Sequence, residues 1–316
     1  MAVPALSTYS AATGQPIAGG RWPGGVLSGN ADLAAAEAAG ALGVNASGVS
    51  GNVTLAEAQA AGTLASDPGN VRIAIWGQSN AVGRADGTDL SASPLSSDAE
   101  LAQYWSGALT FSRVFIWTGS AYSTLTAANN GAASGQFGSE FGLAVRWMRE
   151  TVSGNLYFEK WAGSGLSITS TTFTPGVWPY TTGAGYRTSG NSWLSTNGIT
   201  INRDVWLWNQ GESDAAMSEA TYRGYLDTLM AGLATDNVRP TGNTDVLVQI
   251  PSGTAGYGSG VVAAKTAKAA ADPTRTFTLA APAYMRADNL HQNGRGQVQL
   301  GYDIFEQLFG RSHISV

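Results

Sequence analysis

The sequence predicts an α/β protein: a three-layer sandwich around a five-stranded, parallel, doubly wound sheet. From residue 71 onward, short apolar runs alternate with segments of helical periodicity, which is typical of a parallel sheet covered on both faces. The first run, 71–77, ends at a glycine, as a buried strand does where it enters a tight turn. A chain of 316 residues that is 43% hydrophobic has enough apolar surface to bury a core of this size.

The remaining elements follow in chain order. Apolar runs predict the other four strands at 155–162, 204–208, 245–250 and 275–280. Apolar side chains near helical spacing predict helices at 137–149, 218–233, 260–271 and 294–309. The segment 164–201 fits neither pattern. It is rich in Gly, Thr and aromatic residues and follows a strand, so we expect a long binding loop there.

The first 70 residues differ in composition from the rest, because they are rich in Ala, Gly and Ser and contain few aromatic residues. The stretch 28–42 recurs at 50–64. Each copy predicts one short helix between a polar N-cap and a glycine stop, from Asp32 to Gly40 and from Thr54 to Gly62.

Short helices of this kind are marginal in isolation, so we expect the repeats to pack on the main domain or on copies of themselves. The alternative is a flexible linker. The sequence thus predicts an attachment or assembly segment at 1–70 and a catalytic domain at 71–316.

Composition excludes several functions. Only 12% of the residues are charged and the net charge is -5, so no basic surface for nucleic acid is expected. The absence of cysteine excludes disulfides, thiolate metal sites and a cysteine nucleophile. No apolar run approaches the roughly 18 residues of a membrane span, and no secretory signal pattern is visible. Ten tryptophans and many hydroxyl side chains indicate a surface better suited to sugars than to anions.

Ser79 is the first candidate for catalysis. It lies on the turn after the first predicted strand, and the carboxyl ends of parallel strands are where open α/β sheets place their chemistry. The G-x-S-x-G elbow of one large hydrolase group requires glycine two residues after the serine, where this chain has Ala81. A nucleophilic Ser79 therefore belongs to a different fold.

A nucleophilic serine needs a base, and the base needs a group that orients it. The chain contains two histidines. His313 lies within the last four residues, where order is least expected. His291 follows the fifth predicted strand, and Asp288 precedes it by three residues in the same loop. Taken alone, these two residues are more typical of helix capping than of catalysis, but together with Ser79 they predict a catalytic triad.

Three motifs occur in order, each after a predicted strand: Trp-Gly-Gln-Ser-Asn at 76–80, Trp-Asn-Gln-Gly-Glu-Ser-Asp-Ala at 208–215 and Asp-Asn-Leu-His at 288–291. Together they resemble the SGNH-hydrolase group that includes sialate O-acetylesterases and carbohydrate esterase family six. The resemblance covers about 71–309 and implies the flavodoxin-like form of the predicted sandwich. Phe-Gly-Ser-Glu-Phe-Gly at 137–142 and the glycine-rich stretch 160–168 are similar to the family as well.

The chain departs from the family pattern at two places. The family usually has Gly-Gly-Thr-Ser where this chain has Ser-Gly-Leu-Ser at 164–167, so Gly165 or Gly163 is the expected backbone donor. Asn209 stands where the family often has an aromatic residue or histidine.

The resemblance implies roles for the site residues. Ser79 would attack an ester carbonyl, His291 would act as base and then acid, and Asp288 would orient it. The oxyanion would be met by the N–H groups of Ser79 and Gly165 and by the Gln210 side-chain amide, for which a buried structural amide is the alternative. Glu212 would hold the loop. Three aromatic residues are candidate sugar platforms, with packing inside the long loop as the alternative: Trp178, Tyr180 and Trp193.

The function that the resemblance implies is removal of O-acetyl groups from a carbohydrate, without a cofactor or metal. The repeats add the hypothesis of a phage virion component, virion-associated or extracellular, with 1–70 as the contact to further copies or to a virion partner. A free bacterial or cytoplasmic enzyme is the alternative location. The alternative functions are a catalytically inactive glycan-binding or structural protein on the same fold and a general short-chain carboxylesterase or lipase.

Overall fold

A computed structural model describes residues 68–309, except 93, 152, 170–172 and 178–179. Both predicted repeat helices, His313 and Trp178 lie outside the described residues. The division of the chain at residue 70 therefore remains a prediction.

Nine strands form within the described residues. They are β1 Val71–Gly77, β2 Ala85–Asp86, β3 Val114–Trp117, β4 Tyr122–Thr124, β5 Gln136–Phe137, β6 Leu156–Ala162, β7 Arg203–Asn209, β8 Thr244–Gln249 and β9 Thr276–Ala280. Seven of them build one sheet in the spatial order β4-β3-β6-β1-β7-β8-β9. Every neighbouring pair in it is parallel except β3 and β4. The short β2 and β5 pair separately and antiparallel.

Seven α-helices lie in the same ranges. They are α1 Ser79–Val82, α2 Ala99–Ser106, α3 Ser139–Glu150, α4 Tyr180–Thr196, α5 Glu219–Thr235, α6 Ser259–Ala271 and α7 Gly294–Phe309. Single turns of 3-10 helix occur at Gly87–Ser91, Leu95–Ser97 and Glu212–Asp214. None of these helices is both long enough and apolar enough to cross a membrane.

The central strand β1 is buried along its whole length and sends alternate side chains to two cores. Val71, Ile73 and Ile75 pack in the core that contains side chains of α2, α3 and α7. Ala74 and Trp76 pack in the second core, with side chains of α4, α5 and α6. The predicted three-layer α/β sandwich is therefore confirmed.

All five predicted strands are present, and their bounds differ from the prediction by one residue at most. The sheet nevertheless has seven strands, because β3 and β4 add a hairpin beyond β6. These two strands have four and three residues, which is too short for a period-two pattern to stand out.

The long binding loop predicted at 164–201 is wrong in its second half, because α4 fills it. The sequence of α4 lacks an apolar stripe, and tertiary contacts outweigh its weak propensity. Gly183 packs directly on the rings of Trp76 and Trp161, and a Cβ there would lie 2.4 Å from both. Glycine thus allows a close approach of helix and sheet that a sequence pattern does not reveal.

Buried ion pairs also fix α4 to the sheet. The Arg187 guanidinium lies 2.7 Å from Glu159 on β6 and 2.7 Å from Asp204 on β7. Arg72 on β1 adds a further contact of 2.7 Å to Asp204. Loss of one partner would leave a buried charge uncompensated. These ion pairs therefore stabilise the position of α4 against the central strands of the sheet.

Candidate active site

The turn after β1 lies where the strand order reverses. β1 pairs with β6 on one side and with β7 on the other, and ligands of open α/β sheets bind at such a switch point. Gly77 ends β1 with φ +148°, and a Cβ there would lie 1.9 Å from the backbone oxygen of Asn209. The next residue, Gln78, donates its N–H to that same oxygen at 3.1 Å. Only glycine permits this junction between β1 and β7.

Ser79 directly follows this junction as the first residue of α1 and is 5% exposed. Its N–H is one of the donors at a helix start that have no intrahelical acceptor. Ser79 lines a cleft of about 420 Å³. The other lining residues come from separate parts of the chain: Gln78, Arg84, Gln136, Ser164, Gly165, Glu212, Ser213, Arg286, Leu290 and His291.

His291 and Asp288 form a hydrogen-bonded pair at this cleft. Nδ1 of His291 lies 2.7 Å from Oδ2 of Asp288, and Oδ1 of Asp288 accepts the N–H groups of Leu290 and His291, both at 2.9 Å. A carboxylate on Nδ1 favours the tautomer that leaves Nε2 free to accept a proton. Partial burial would raise the pKa of Asp288, but the hydrogen bonds from His291 and Leu290 outweigh it and lower that pKa to about 2.

The structure thus brings Ser79 and His291 to one cleft and sets Asp288 against the imidazole, as the sequence predicted. Their chemical roles remain a proposal.

Asn80 connects the Ser79 turn to the His291 loop, and the sequence analysis assigned it no role. Its Nδ2 donates to Oε1 of Glu212 at 2.6 Å and to the backbone oxygen of Leu290 at 3.1 Å. Its Oδ1 accepts the N–H of Gln292 at 3.0 Å. The Glu212 carboxylate is therefore held between two loops, which is the kind of position predicted for it. In the sequence, the one indication of a role for Asn80 is that this polar residue directly follows Ser79, the candidate nucleophile.

The two glycines of the glycine-rich loop differ in whether their N–H group is already bonded. The N–H of Gly163 donates to the backbone oxygen of Gly77 at 3.2 Å, so it is not available to a substrate. Gly165 lines the cleft with φ +70°, and its N–H has no acceptor in the described part of the chain. Of the two glycines that the sequence left open, Gly165 therefore remains the candidate donor to an oxyanion.

Gln210 is fully buried and does not line the cleft. Its Nε2 donates to the backbone oxygen of Leu166 at 3.0 Å, to Oε1 of Gln78 at 3.2 Å and to the Asp214 carboxylate. Its Oε1 accepts the hydroxyl of Tyr222 at 2.8 Å. Because the amide is engaged on every side, the geometry favours the structural alternative over an oxyanion donor.

The buried ammonium group of Lys265 contacts the loop that carries Gln210. Lys265 on α6 donates to the backbone oxygens of Gln210 and Val248. Burial lowers the pKa of Lys265 to about 8, and the nearby charges of Glu212 and Asp214 oppose that shift. The sequence gives no signal for this role, because Lys265 is one of two lysines in an alanine-rich helix.

The three candidate sugar platforms have different outcomes. Trp178 lies outside the described residues. Tyr180 is 1% exposed, its hydroxyl donates to Asp236 at 2.5 Å and its ring lies edge-on against Trp76, so its prediction as a platform is wrong. Trp193 is partly exposed, but it lines a separate groove and does not line the cleft.

Two guanidinium groups line the cleft, although the whole chain is acidic. Arg286 donates to the backbone oxygen of Arg84 and lies 3.3 Å from the exposed carboxylate of Asp86. The Arg84 side chain donates to the hydroxyl of Ser164, and no ion pair joins it to a carboxylate in the described ranges. The cleft therefore offers a cation to an anionic ligand. The described residues contain no cluster of three or more histidine and acidic side chains suited to a metal ion.

The solved structures that are similar to this chain are distant from it in sequence. An Arabidopsis thaliana protein is 18% identical with a TM-score of 0.57, over 77% of this chain and 99% of its own. A carbohydrate acetylesterase from Xanthomonas citri is 15% identical with a TM-score of 0.48, over 78% of this chain and 58% of its own. NanS is 10% identical with a TM-score of 0.45, over 69% of this chain and 79% of its own.

Among curated proteins, none matches the sequence significantly. The family model described as carbohydrate esterase, sialic acid-specific acetylesterase matches residues 70–309 and so includes the Ser79 turn, the 208–215 motif and the His291 loop. The resemblance found in the sequence is confirmed, and the chain belongs to this family of carbohydrate esterases.

Proposed function

We propose that the protein is a serine esterase that removes O-acetyl groups from an acidic sugar of the sialic acid type. The observation that carries the proposal is the meeting of Ser79 and His291 at one cleft, with Asp288 bound to the imidazole. A site without catalytic function has no physical need for this combination of a serine in a tight turn and an oriented base.

The reaction follows from these positions. The Ser79 hydroxyl attacks the acetyl carbonyl while Nε2 of His291 takes its proton, and the Asp288 carboxylate stabilises the imidazolium. The N–H groups of Ser79 and Gly165 stabilise the oxyanion. The sugar oxygen then leaves with the proton from His291. Water attacks the acetyl-enzyme by the same route and releases acetate.

The lining of the cleft supports a short acyl group on an acidic sugar. Leu290 contributes the one aliphatic side chain among the lining residues, which disfavours a long acyl chain and hence a lipase. Arg84 and Arg286 offer guanidinium groups, which bind carboxylates well. Sialic acid carries a carboxylate, and the description of the family names it.

Ester hydrolysis by the full-length protein tests the proposal. We expect p-nitrophenyl acetate to be cleaved faster than the butyrate and octanoate esters, and O-acetylated sialic acid to have a lower KM than acetylated xylan. No hydrolysis of any acetyl ester would support the non-catalytic alternative. A preference for octanoate would support the lipase alternative.

An arginine variant tests the acidic sugar separately. Loss of a hydrogen bond to a charged group costs about 1.5–3 kcal/mol, so Arg84→Gln should raise KM for O-acetylated sialic acid by roughly tenfold or more. KM for p-nitrophenyl acetate should change far less. Arg223→Gln, which removes an exposed arginine on α5 outside the cleft lining, is the matched control. If KM rose equally for both substrates, Arg84 would not bind the sugar carboxylate, and the proposal of an acidic sugar would be wrong.

We propose further that residues 1–70 attach this esterase to a virion or to further copies of itself, with a free bacterial enzyme as the alternative. The support is the repeat 22 positions apart, from Ser28 to Ser50, and the change of composition near residue 70. Repeated weak contacts gain from effective concentration. Deletion of 1–67 should convert a larger assembly into an active monomer. An unfolded truncated protein beside a monomeric intact protein would contradict the idea.

A further inference from the structure

A second groove, of about 480 Å³, lies between the β3–β4 turn and α4 and shares no residue with the catalytic cleft. Two tryptophans line it, Trp117 at the end of β3 and Trp193 on α4. All the other lining residues are serine, threonine or glycine, so none of them is charged. The cleft at Ser79, by contrast, has two arginines and a glutamate in its lining.

An aromatic cluster fixes the floor of this groove. The ring of Tyr122 on β4 lies between the two tryptophans, with centroids 5.2 Å from Trp117 and 5.4 Å from Trp193, both edge-on. A stacked pair of Phe115 and Tyr157 and the T-shaped contact of Tyr122 with Tyr157 extend the cluster across β3 and β6. The tryptophan rings are therefore held in place before any ligand binds, and a preorganised platform loses little entropy on binding.

Hydroxyl groups surround this floor. Positions 188, 189, 192, 193 and 196 of α4 follow helical spacing and form one exposed face. The hydroxyls of Ser120, Ser189 and Ser192 make no hydrogen bond within the described part of the chain. Trp117 is 6% exposed, and its buried Nε1–H has no hydrogen-bond partner among the described residues. The three serine hydroxyls are therefore the polar groups that the groove offers to a ligand.

We propose that this groove is an accessory binding site for a neutral sugar ring, distinct from the catalytic cleft. The C–H face of a sugar packs on tryptophan, and its hydroxyls exchange hydrogen bonds with serine and threonine. The uncharged lining gives no advantage to an anion, so the ligand class differs from that of the cleft. Free hydroxyls around one buried and one partly exposed tryptophan also differ from the contiguous apolar patch that a protein partner would require.

The register of the sheet relates the groove to the cleft. β3 is parallel to β6, and β6 is parallel to β1, so the carboxyl ends that carry Trp117 and Ser79 lie at the same edge. Two strand spacings of about 4.8 Å separate β3 from β1. A glycan chain held in the groove would keep its acetylated residues near Ser79 at high effective concentration. Binding in the groove itself does not depend on the esterase activity.

Titration of the full-length protein with neutral hexasaccharides tests the site. The probes are cellohexaose, maltohexaose, xylohexaose, mannohexaose and chitohexaose, with saturation-transfer NMR and tryptophan fluorescence as readouts. We expect at least one to bind with a Kd below about 10 mM, and Trp193→Ala to weaken it at least tenfold. p-Nitrophenyl acetate hydrolysis should be unaffected, which separates failure of this site from failure of the esterase.

Trp193 packs on Tyr122, so a second variant guards against a folding defect. Ser192→Glu places a bulky anion at an exposed groove position and should weaken binding to a similar extent. Ser195→Glu, on the same helix but outside the lining, should leave binding unchanged. Absence of binding by all five probes, or binding that survives both groove variants, would overturn the proposal.

Discussion

The two halves of the candidate triad are held in different ways. Ser79 is almost completely buried, and its turn is fixed by the contact of Gly77 with the end of β7. The side chains of His291 and Asp288 are 24% and 46% exposed and are held by hydrogen bonds within one loop. Packing of the sheet thus sets the nucleophile, whereas local polar contacts set the base. Asn80 is the link between them, because it bonds to the His291 loop from the Ser79 turn.

The largest expected effect follows from removal of the nucleophile. Ser79→Ala should lower kcat for p-nitrophenyl acetate on the order of 10⁶-fold, as for other serine hydrolases, and should leave the melting temperature nearly unchanged. Ser213→Ala is the matched control, since Ser213 lines the same cleft and its contact to Gln78 uses the backbone N–H. Full activity of the Ser79 variant would show that the buried turn is structural only.

Loss of the base should have nearly the same effect on kcat. His291→Ala removes the proton acceptor, and we expect a decrease on the order of 10⁵- to 10⁶-fold in steady-state assays. His313→Ala should retain full activity. An inactive His313 variant beside an active His291 variant would place the base outside the described loop.

Replacement of the orienting carboxylate should cost less. Asp288→Asn keeps the side-chain size but removes the charge beside Nδ1, and an Asp-to-Asn change in a triad lowers kcat about 10⁴-fold. Because the pKa of Asp288 is about 2, this residue stays ionised throughout the mildly acidic range. Any loss of wild-type activity there therefore reports protonation of another group, and the profile of kcat against pH above 4 checks this.

Gln210→Ala distinguishes a structural amide from an oxyanion donor. The buried Asp214 carboxylate and Tyr222 hydroxyl would lose a partner, so we expect a loss of about 1–3 kcal/mol in stability and less than a tenfold change in kcat. Gln249→Ala, which removes a surface contact to Thr266, is the control for denaturant unfolding. A hundredfold decrease in kcat at constant KM would instead show that the Gln210 amide stabilises the oxyanion.

Acid titration should have the smallest effect, and it compares the Asp288–His291 loop directly with the Ser79 turn. The folded pKa of Asp288, about 2, is below its ordinary value of 3.8, so its stabilising contribution is complete above about pH 4 and is lost as the pH falls through 2. The amide NMR signals of Leu290 and His291 should shift with a midpoint near 2, and those of Gln78 and Ser79 should not follow. A midpoint near 4 would mean that the hydrogen bonds to Asp288 are absent.

The sequence predicts those parts of the molecule that depend on local pattern. The five long strands coincide with short runs rich in apolar residues, and all five are present. The serine on the turn after β1 and the small number of histidines pointed to Ser79 and His291, which the structure brings to one cleft. The helix α4 could not be found, because Gly183 and Arg187 stabilise it through partners on other strands.

The missed site residues share the same cause. Asn80 acts through Glu212 and Leu290, which are 132 and 210 residues away, and Lys265 acts through backbone oxygens. Aromatic residues in a polar segment are equally ambiguous. Tyr180 is buried on Trp76, whereas Trp193 remains partly exposed, and composition does not distinguish the two.

The separation of these partners along the chain also affects how the enzyme folds. The proposed nucleophile, oxyanion donor and base are residues 79, 165 and 291, and a sheet with such distant pairings has a high contact order and folds slowly. Gln297 on α7 donates to the backbone oxygen of Asn80 at 3.1 Å, so the turn of the nucleophile is complete only after α7 has docked. Esterase activity should therefore appear late in refolding, after the secondary structure seen by circular dichroism.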